Sequence, residues 1–325
     1  MLQLAFSPQD VALTRLAFSP LWEAVASVRV LQNPAAHTLH LPWVKRVRPL
    51  LDDARADLSL FTGLTSPYPQ YLPGFLAPTP TTPTPDLATE LASLRETDPH
   101  DVRQAVASLR NVPAAATLLD DPAAGLRRLS TAIESYWELV LEPWWPRIRN
   151  LLEGDVLYRA RSIADGGAHG LLDDLDPAIR WREGVLSVAH ASVADTRQLA
   201  GRGLVLVPSV FVWPRVASKT SPPWQPVLRY PARGIATLWE NGTGTPGSLS
   251  AVVGRTRATL LTELAAPAST TELAQRTSLS AGGVSQHLSA LRAAGLVAGH
   301  RVGRTVLYVR TPLGDGLARP GDAMP

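Results

Sequence analysis

Thr270-Thr271-Glu272-Leu273-Ala274-Gln275-Arg276-Thr277-Ser278-Leu279-Ser280-Ala281-Gly282-Gly283-Val284-Ser285-Gln286-His287-Leu288-Ser289-Ala290-Leu291-Arg292-Ala293-Ala294-Gly295 is the stretch on which the fold turns. Thr270 to Arg276 reads as a short helix. Thr277-Ser278-Leu279 makes a tight turn, and Ser280 follows as a helix cap, since a serine oxygen accepts from backbone N–H groups two or three residues on. The next helix runs from about Ala281 to Ala294. Gly295 stops it, because glycine takes the left-handed conformation that ends a helix. Two short helices joined by so short a turn form a helix-turn-helix arrangement.

The second of these helices has two unlike faces. Turning about 100° per residue brings Val284, Leu288 and Leu291 together, a stripe suited to packing on neighbouring helices. The opposite face carries Gly282, Gln286 and Ser289, flanked by Gly283 and Ser285. A glutamine can bond an adenine edge in bidentate fashion. Small residues at a helix N-terminus let backbone N–H groups approach a phosphate closely. His287 lies to one side of this face and serves either a phosphate contact or helix packing. Thr270, at the start of the preceding helix, and Arg292, near the far end, complete the polar set.

Working outward, Leu249 to Leu264 has apolar residues at helical spacing, and Pro267 stops it. Downstream, Leu296 to Arg301 and Thr305 to Arg310 read as strands joined at Val302-Gly303-Arg304. This predicts a β-hairpin wing with Arg301 and Arg304 at or near its tip. Arginine there can contact phosphate or enter a narrow minor groove.

Charge follows the same division. The whole chain carries +3. From Leu249 onward there are eight arginines against four acids, a net of +4, so the remainder carries −1. Positive charge concentrated in a short segment is the footprint expected of phosphate contact. The candidate DNA-contact set is therefore Thr270, Ser280, Gly282, Gly283, Ser285, Gln286, His287, Ser289, Arg292, Arg301 and Arg304.

The 325 residues suffice for roughly two domains of about 150 residues. There is no cysteine, which excludes disulfides, thiolate metal sites and a cysteine nucleophile. The first residues lack the basic and apolar regions of a signal peptide. No run approaches the ~18 apolar residues of a membrane span. A soluble, cytoplasmic protein without membrane contact is expected.

The larger part reads as mostly helical. Leu2 to Phe6 is a strand candidate. Ser19-Pro20 caps a helix that ends at Asn33-Pro34. Ser66 to Pro85 is a proline- and threonine-rich loop. Helices follow over Pro85–Arg95 and Pro99–Arg110. A long helix carries Leu126, Leu129, Ile133, Trp137, Val140 and Leu141 on one face and is interrupted at Pro143 and Pro146. Val185–Val188, Leu204–Val207 with Val210–Val212, and Val227–Tyr230 read as strands. Ile235–Glu240 is a short helix, and Asn241–Gly247 is the clearest linker. The pentapeptide Leu-Ala-Phe-Ser-Pro recurs at 4–8 and 16–20 without further self-similarity, so it is no repeat architecture.

These readings give an α+β chain. Residues 1–245 form a mostly helical N-terminal domain with a small antiparallel β-sheet, which dimerises and is a candidate for sensing. Residues 246–325 form a C-terminal winged helix-turn-helix.

Four segments then carry a resemblance. Thr270–Ala274, Val284–Leu288, Leu291–Val297 and Gly303–Tyr308 resemble the winged helix of ArsR-type repressors over about 70 residues. Upstream, Phe18–Glu23, Val207–Phe211 and Tyr230–Gly234 resemble the large N-terminal domain of unknown function attached to such regulators in actinobacteria. The resemblance implies a homodimer on a two-fold-related site in double-stranded DNA, and a repressor. Metal sensing by the family's mechanism is not expected. There are no cysteines, and Leu313–Arg319 lacks an Asp/His/Glu cluster. No metal and no cofactor is expected.

Other candidates are weaker. His37 and His40 have a spacing that could supply two metal ligands but lack a third partner. Glu134 with Glu138 reads as a solvated helix face. Asp173, Asp174 and Asp176 read as a loop and capping run. Gly201-Arg202-Gly203 is too short to mark a phosphate loop. The tryptophans are core-formers first. A sharper reading makes Trp137, Trp145 and Trp213, with Arg229, Tyr230 and Arg233 as polar groups, an aromatic pocket for a small-molecule effector. No acid, base or nucleophile set can be assembled, so no catalytic residue and no enzyme is expected. The alternative is an enzyme-like N-terminal domain tethered to, or regulated through, a DNA-binding module.

Overall fold

The computed structural model describes residues 1–54, 56–65, 72–107, 109, 115–189, 194–221, 224–239, 250, 253–264, 267–302 and 305–318. Contacts divide the chain into two compact units, Met1–Trp239 and Glu240–Pro325.

The first unit begins with β1 (Leu2–Ala5), α1 (Pro8–Ala12) and β2 (Arg15–Leu16). In α2 (Pro20–Gln32), Ser19 caps the helix by accepting from the Trp22 N–H at 3.0 Å, and Pro20 occupies the first turn. Burial on nearly every side makes α2 the central helix, in keeping with its apolar sequence. Around it stand α3 (Leu41–Asp52), α4 (Ser59–Leu64), α5 (Leu87–Arg95), α6 (Pro99–Ala107), α7 (Ala116–Asp120) and α8 (Pro122–Val140). The predicted apolar face of α8 is the buried one, with Leu126, Leu129, Ile133, Trp137 and Val140 in the main helical core. A 3₁₀ turn at Glu142–Trp144 separates α8 from α9 (Trp145–Leu172), as the two prolines require. Gly167, at φ 59°, kinks α9 near its end.

The strands that follow are β3 (Ile179–Arg182), β4 (Val185–Val188), β5 (Asp195–Gln198), β6 (Val205–Ser209), β7 (Ala217–Lys219) and β8 (Val227–Pro231), and α10 (Ile235–Leu238) closes the unit. The α+β class holds, but the expected small antiparallel sheet is corrected to two four-stranded mixed sheets. One has the order β3-β4-β1-β5, in which β1 is antiparallel to β4 and parallel to β5. The other has the order β2-β6-β8-β7, with β2, β6 and β8 parallel and β7 antiparallel. The run Val210–Val212 is not a strand. Its first two N–H groups donate to the buried Glu23 carboxylate at 3.1 Å, so the chain turns there and leaves the sheet.

The second unit comprises α11 (Arg255–Glu263), β9 (Ala268–Ser269), α12 (Thr270–Thr277), α13 (Ala281–Ala293), β10 (Val297–Val302), β11 (Thr305–Arg310) and α14 (Pro312–Ala318). The helix predicted from Leu249 is broken within its span: Ser250 and Val253 are helical, and the Gly254 N–H donates to the Ser250 carbonyl at 3.0 Å. Gly254 sits at φ 84°, ψ 148°, a conformation closed to residues with a side chain, and α11 starts just after it. Leu260, Leu261, Leu273, Val284, Leu288 and Leu291 form the core. The β10–β11 hairpin gains a third strand, because β9 pairs with β11 at Ser269–Leu307 and Ala268–Tyr308.

Candidate nucleic-acid interface

The site is built on α12 and α13. Ser269 and Glu272 form a capping box: the Ser269 side chain accepts from the Glu272 N–H at 3.3 Å, and the Glu272 carboxylate accepts from the Ser269 N–H at 2.7 Å. These bonds hold the Glu272 carboxyl below its usual range. The box was legible as serine three residues before glutamate, although the sequence reading began at Thr270. Ser278, at φ 56°, ends α12 in the left-handed conformation and re-aims the chain. Ser280 then caps α13 by accepting from the Gly283 N–H at 3.2 Å.

The two faces of α13 separate as expected. Val284, Leu288 and Leu291 are buried, while Gly282, Ser285, Gln286, Ser289 and Arg292 are exposed. Gly283, His287 and Thr270 are half-buried. Ser289 donates to the Ser285 carbonyl at 2.9 Å, which fixes its hydroxyl along the outer face. Among the described residues, no hydrogen bond occupies the Gln286 amide. Gly282 differs from Gly283: a Cβ at 282 would meet nothing within 4 Å, whereas one at 283 would stand 3.2 Å from the Ser280 hydroxyl.

This helix pair is the observation that places the segment. Residues 238–300 match the model of a helix-turn-helix domain. The helix-turn-helix domain supports a DNA-binding regulator. Residues 103–236 match the model of a family of unknown function (DUF5937). No curated protein and no solved structure matches the chain.

The helix-turn-helix domain's charges differ in exposure and in what they brace. Arg310 pairs with Asp315 at 2.8 Å and donates to the Leu261 carbonyl at 3.3 Å, so it braces the wing against the helices. Glu272 is engaged in the capping box. Arg255, Arg257, Arg276, Arg292 and Arg301 are exposed. The first three were counted in the charge balance but not singled out, because no spacing rule marks a lone arginine as a contact. Arg304 lies outside the described residues.

The proposed aromatic pocket does not come together. Trp137 and Trp145 meet edge to face at 4.9 Å in the helical core. Trp213 lies 6.0 Å from the His40 ring, and its carbonyl lies 2.7 Å from His37 Nδ1. Neighbours on a strand point to opposite faces, and β8 obeys this. The Arg229 guanidinium stacks 4.4 Å over Trp22, while the Tyr230 hydroxyl donates to Asp155 at 2.8 Å. Arg233 is exposed, 4.0 Å over the Tyr158 ring. His37 and His40 belong to the aromatic core. Trp239 donates its indole N–H to His40 Nδ1 at 3.0 Å, and burial holds His40 down at about 3, hence neutral. Among the described residues, no group of three or more His, Cys, Asp or Glu is placed to hold a metal ion. Among them also, no helix is long and apolar enough to cross a membrane.

Proposed function

We propose that this chain is a sequence-specific transcriptional repressor of the ArsR-like type, working in the cytoplasm as a homodimer on double-stranded DNA. The α13 helix enters the major groove. Gln286 reads a base edge, with Ser285 and Ser289 beside it. Gly282 allows close approach, while Thr270, Ser280, Gly283 and His287 face the sugar-phosphate backbone. Arg292, Arg301 and Arg304 neutralise phosphates. The observation that carries this reading is the exposed face of α13, small and polar around a glutamine amide with no described hydrogen bond, on a helix whose last turn carries the exposed Arg292. Recognition helices of this type place such a face against base edges.

The N-terminal unit dimerises the protein and receives a non-metal signal; it is not an enzyme. In support, its buried carboxylates serve the fold. Glu23 accepts from the Val210 and Phe211 N–H groups. Glu90 accepts from the Leu21 N–H and the Ser19 hydroxyl, and Asp155 accepts from the Arg233 N–H and the Tyr230 hydroxyl.

The experiment is selection of a duplex site from random DNA by the full chain, followed by gel shifts. Gln286→Ala is expected to relax sequence preference at one base pair, losing about 1–3 kcal/mol of discrimination. Arg304→Ala is expected to weaken binding to all sequences. If both variants retain the wild-type site and affinity, the contact assignment is wrong.

A further inference from the structure

The N-terminal unit carries a cleft of about 420 Å³, within the size range of small-molecule sites. It lies between the proline-threonine stretch that follows Phe75, helix α5 with the start of α6, and the β7–β8 connection. Phe75 and Trp224 give it aromatic walls, and Glu90, Glu96, Asp98 and Asp101 line it with carboxylates. No Lys, Arg or His is among its described lining residues.

The sequence reinforces this polarity. From Ser66 to Leu94 there is no Lys, Arg or His at all. Arg95 comes next, and its guanidinium lies 3.9 Å from Glu134. The cations behind the wall are directed to its carbonyls. Lys219 donates to Gly74 and Ala77, Arg229 to Ala77 and Pro78, and Arg202 to Trp224. These bonds fix the wall and preform the cleft. Glu90 is compensated in turn by Arg229 and its own hydrogen bonds. No described ion pair engages Glu96, Asp98 or Asp101. Trp224 already accepts one cation, the Lys219 ammonium at 4.1 Å from its ring. The preformed shape, the aromatic walls and the unpaired carboxylate rim therefore coincide in one place.

We infer that this cleft binds an organic cation, an amine or quaternary ammonium carrying an apolar body. The charged head sits among Glu96, Asp98 and Asp101, and the body packs on Phe75 and Trp224. An aromatic face attracts a cation through its quadrupole, and the attraction grows as the pair leaves water. An organic anion would meet like charge along the α5–α6 wall and no described lining cation to offset it. The inference goes beyond the DNA reading and is measured without DNA, so its failure would leave that reading untouched.

The test is calorimetric titration of the full chain with benzyltrimethylammonium, benzyl alcohol and benzoate. The expected result is saturable binding of the cation with Kd below about 1 mM, and benzoate at least about tenfold weaker. Trp224→Leu should weaken cation binding about tenfold. Glu96→Gln with Asp101→Asn changes only side chains at the rim, so it tests the charge without touching the core; a loss of about fivefold or more is expected. The inference is overturned if the cation shows no saturable binding up to about 10 mM. It is equally overturned if benzoate binds as well as the cation, or if the folded double variant binds like wild type.

Discussion

Gly282→Ala separates what α13 needs for folding from what it needs for its partner. Glycine inside a helix is about 0.8–1.0 kcal/mol less favourable than alanine. Position 282 lies in the first turn, is exposed, and would place a Cβ with no heavy atom within 4 Å. The fold thus gains from alanine there, by up to about 1 kcal/mol, with less expected because the first turn is only partly constrained. Binding changes in the other direction. A methyl group on the contact face holds the helix off the duplex and breaks at least one backbone N–H bond to phosphate. A hydrogen bond to a charged group contributes about 1.5–3 kcal/mol, which corresponds to roughly ten- to a hundredfold in affinity. Gly283→Ala supplies the contrast. Its Cβ would stand 3.2 Å from the Ser280 hydroxyl, which must shift by a few tenths of an ångström, so the gain in stability should be smaller than at position 282. The assay is thermal unfolding beside fluorescence anisotropy on the selected duplex. Gly282→Ala should melt at or above wild type yet bind at least about tenfold more weakly. If it binds DNA as tightly as wild type, the close-approach argument fails. If it melts lower, the claim that folding does not need this glycine fails.

Further consequences concern each unit's stability. Asp155→Ala removes one of the two carboxylates beside the buried Arg159, leaving Asp174 at 3.2 Å, and strands the Tyr230 hydroxyl; urea unfolding should register a loss of about 1–3 kcal/mol. Leu288→Ala opens a cavity in the helix-turn-helix core at about 2–5 kcal/mol, and calorimetry should show a transition involving residues 240–325 shifted down while that of residues 1–239 stays. Burial pushes Glu23 and Glu90 up to about 7, so they hold protons more tightly when folded; their contribution is greatest below their ordinary value near 4.5 and is lost as pH rises through 7. Burial pushes Lys219 down to about 7 from 10.5, so its contribution grows as pH rises between those values. Stability against pH should flatten between 4.5 and 7 in Glu90→Gln and between 7 and 10.5 in Lys219→Met, and unchanged curves would contradict the assignment.

The helix-turn-helix was legible because its signals are local. Ser280, the 284/288/291 stripe and Gly295 each act within a few residues of themselves, and all agree. The break ahead of α11 was not legible, because Gly254 interrupts the helix through its backbone angle while helical residues and apolar spacing lie on both sides of it. In the N-terminal unit the decisive contacts are remote. Parallel pairing joins Arg15 to Val205 and Val205 to Val227, and periodicity within a strand does not report its neighbour's direction. Val210–Val212 has a strand's composition, yet a carboxylate 187 residues away takes the Val210 N–H. The proposed aromatic pocket failed for a related reason: Arg229 and Tyr230 are adjacent in sequence and therefore opposite in space. The acidic cleft was invisible because Glu96, Asp98 and Asp101 look like ordinary surface residues until the fold sets Trp224 against them.

The central claim is that the helix-turn-helix domain engages duplex DNA through α13 and its arginines. Its most direct test is the affinity of the full chain for the selected duplex as salt is raised. Six arginines of this segment are candidates for phosphate contact, with Arg304 outside the described residues: Arg255, Arg257, Arg276, Arg292, Arg301 and Arg304. If three to four of them neutralise phosphates, log K should fall against log salt with a slope of about −3 or steeper, and Arg304→Ala should lessen it by about one. Binding that ignores salt, or no retention of any duplex at low salt, would contradict the account.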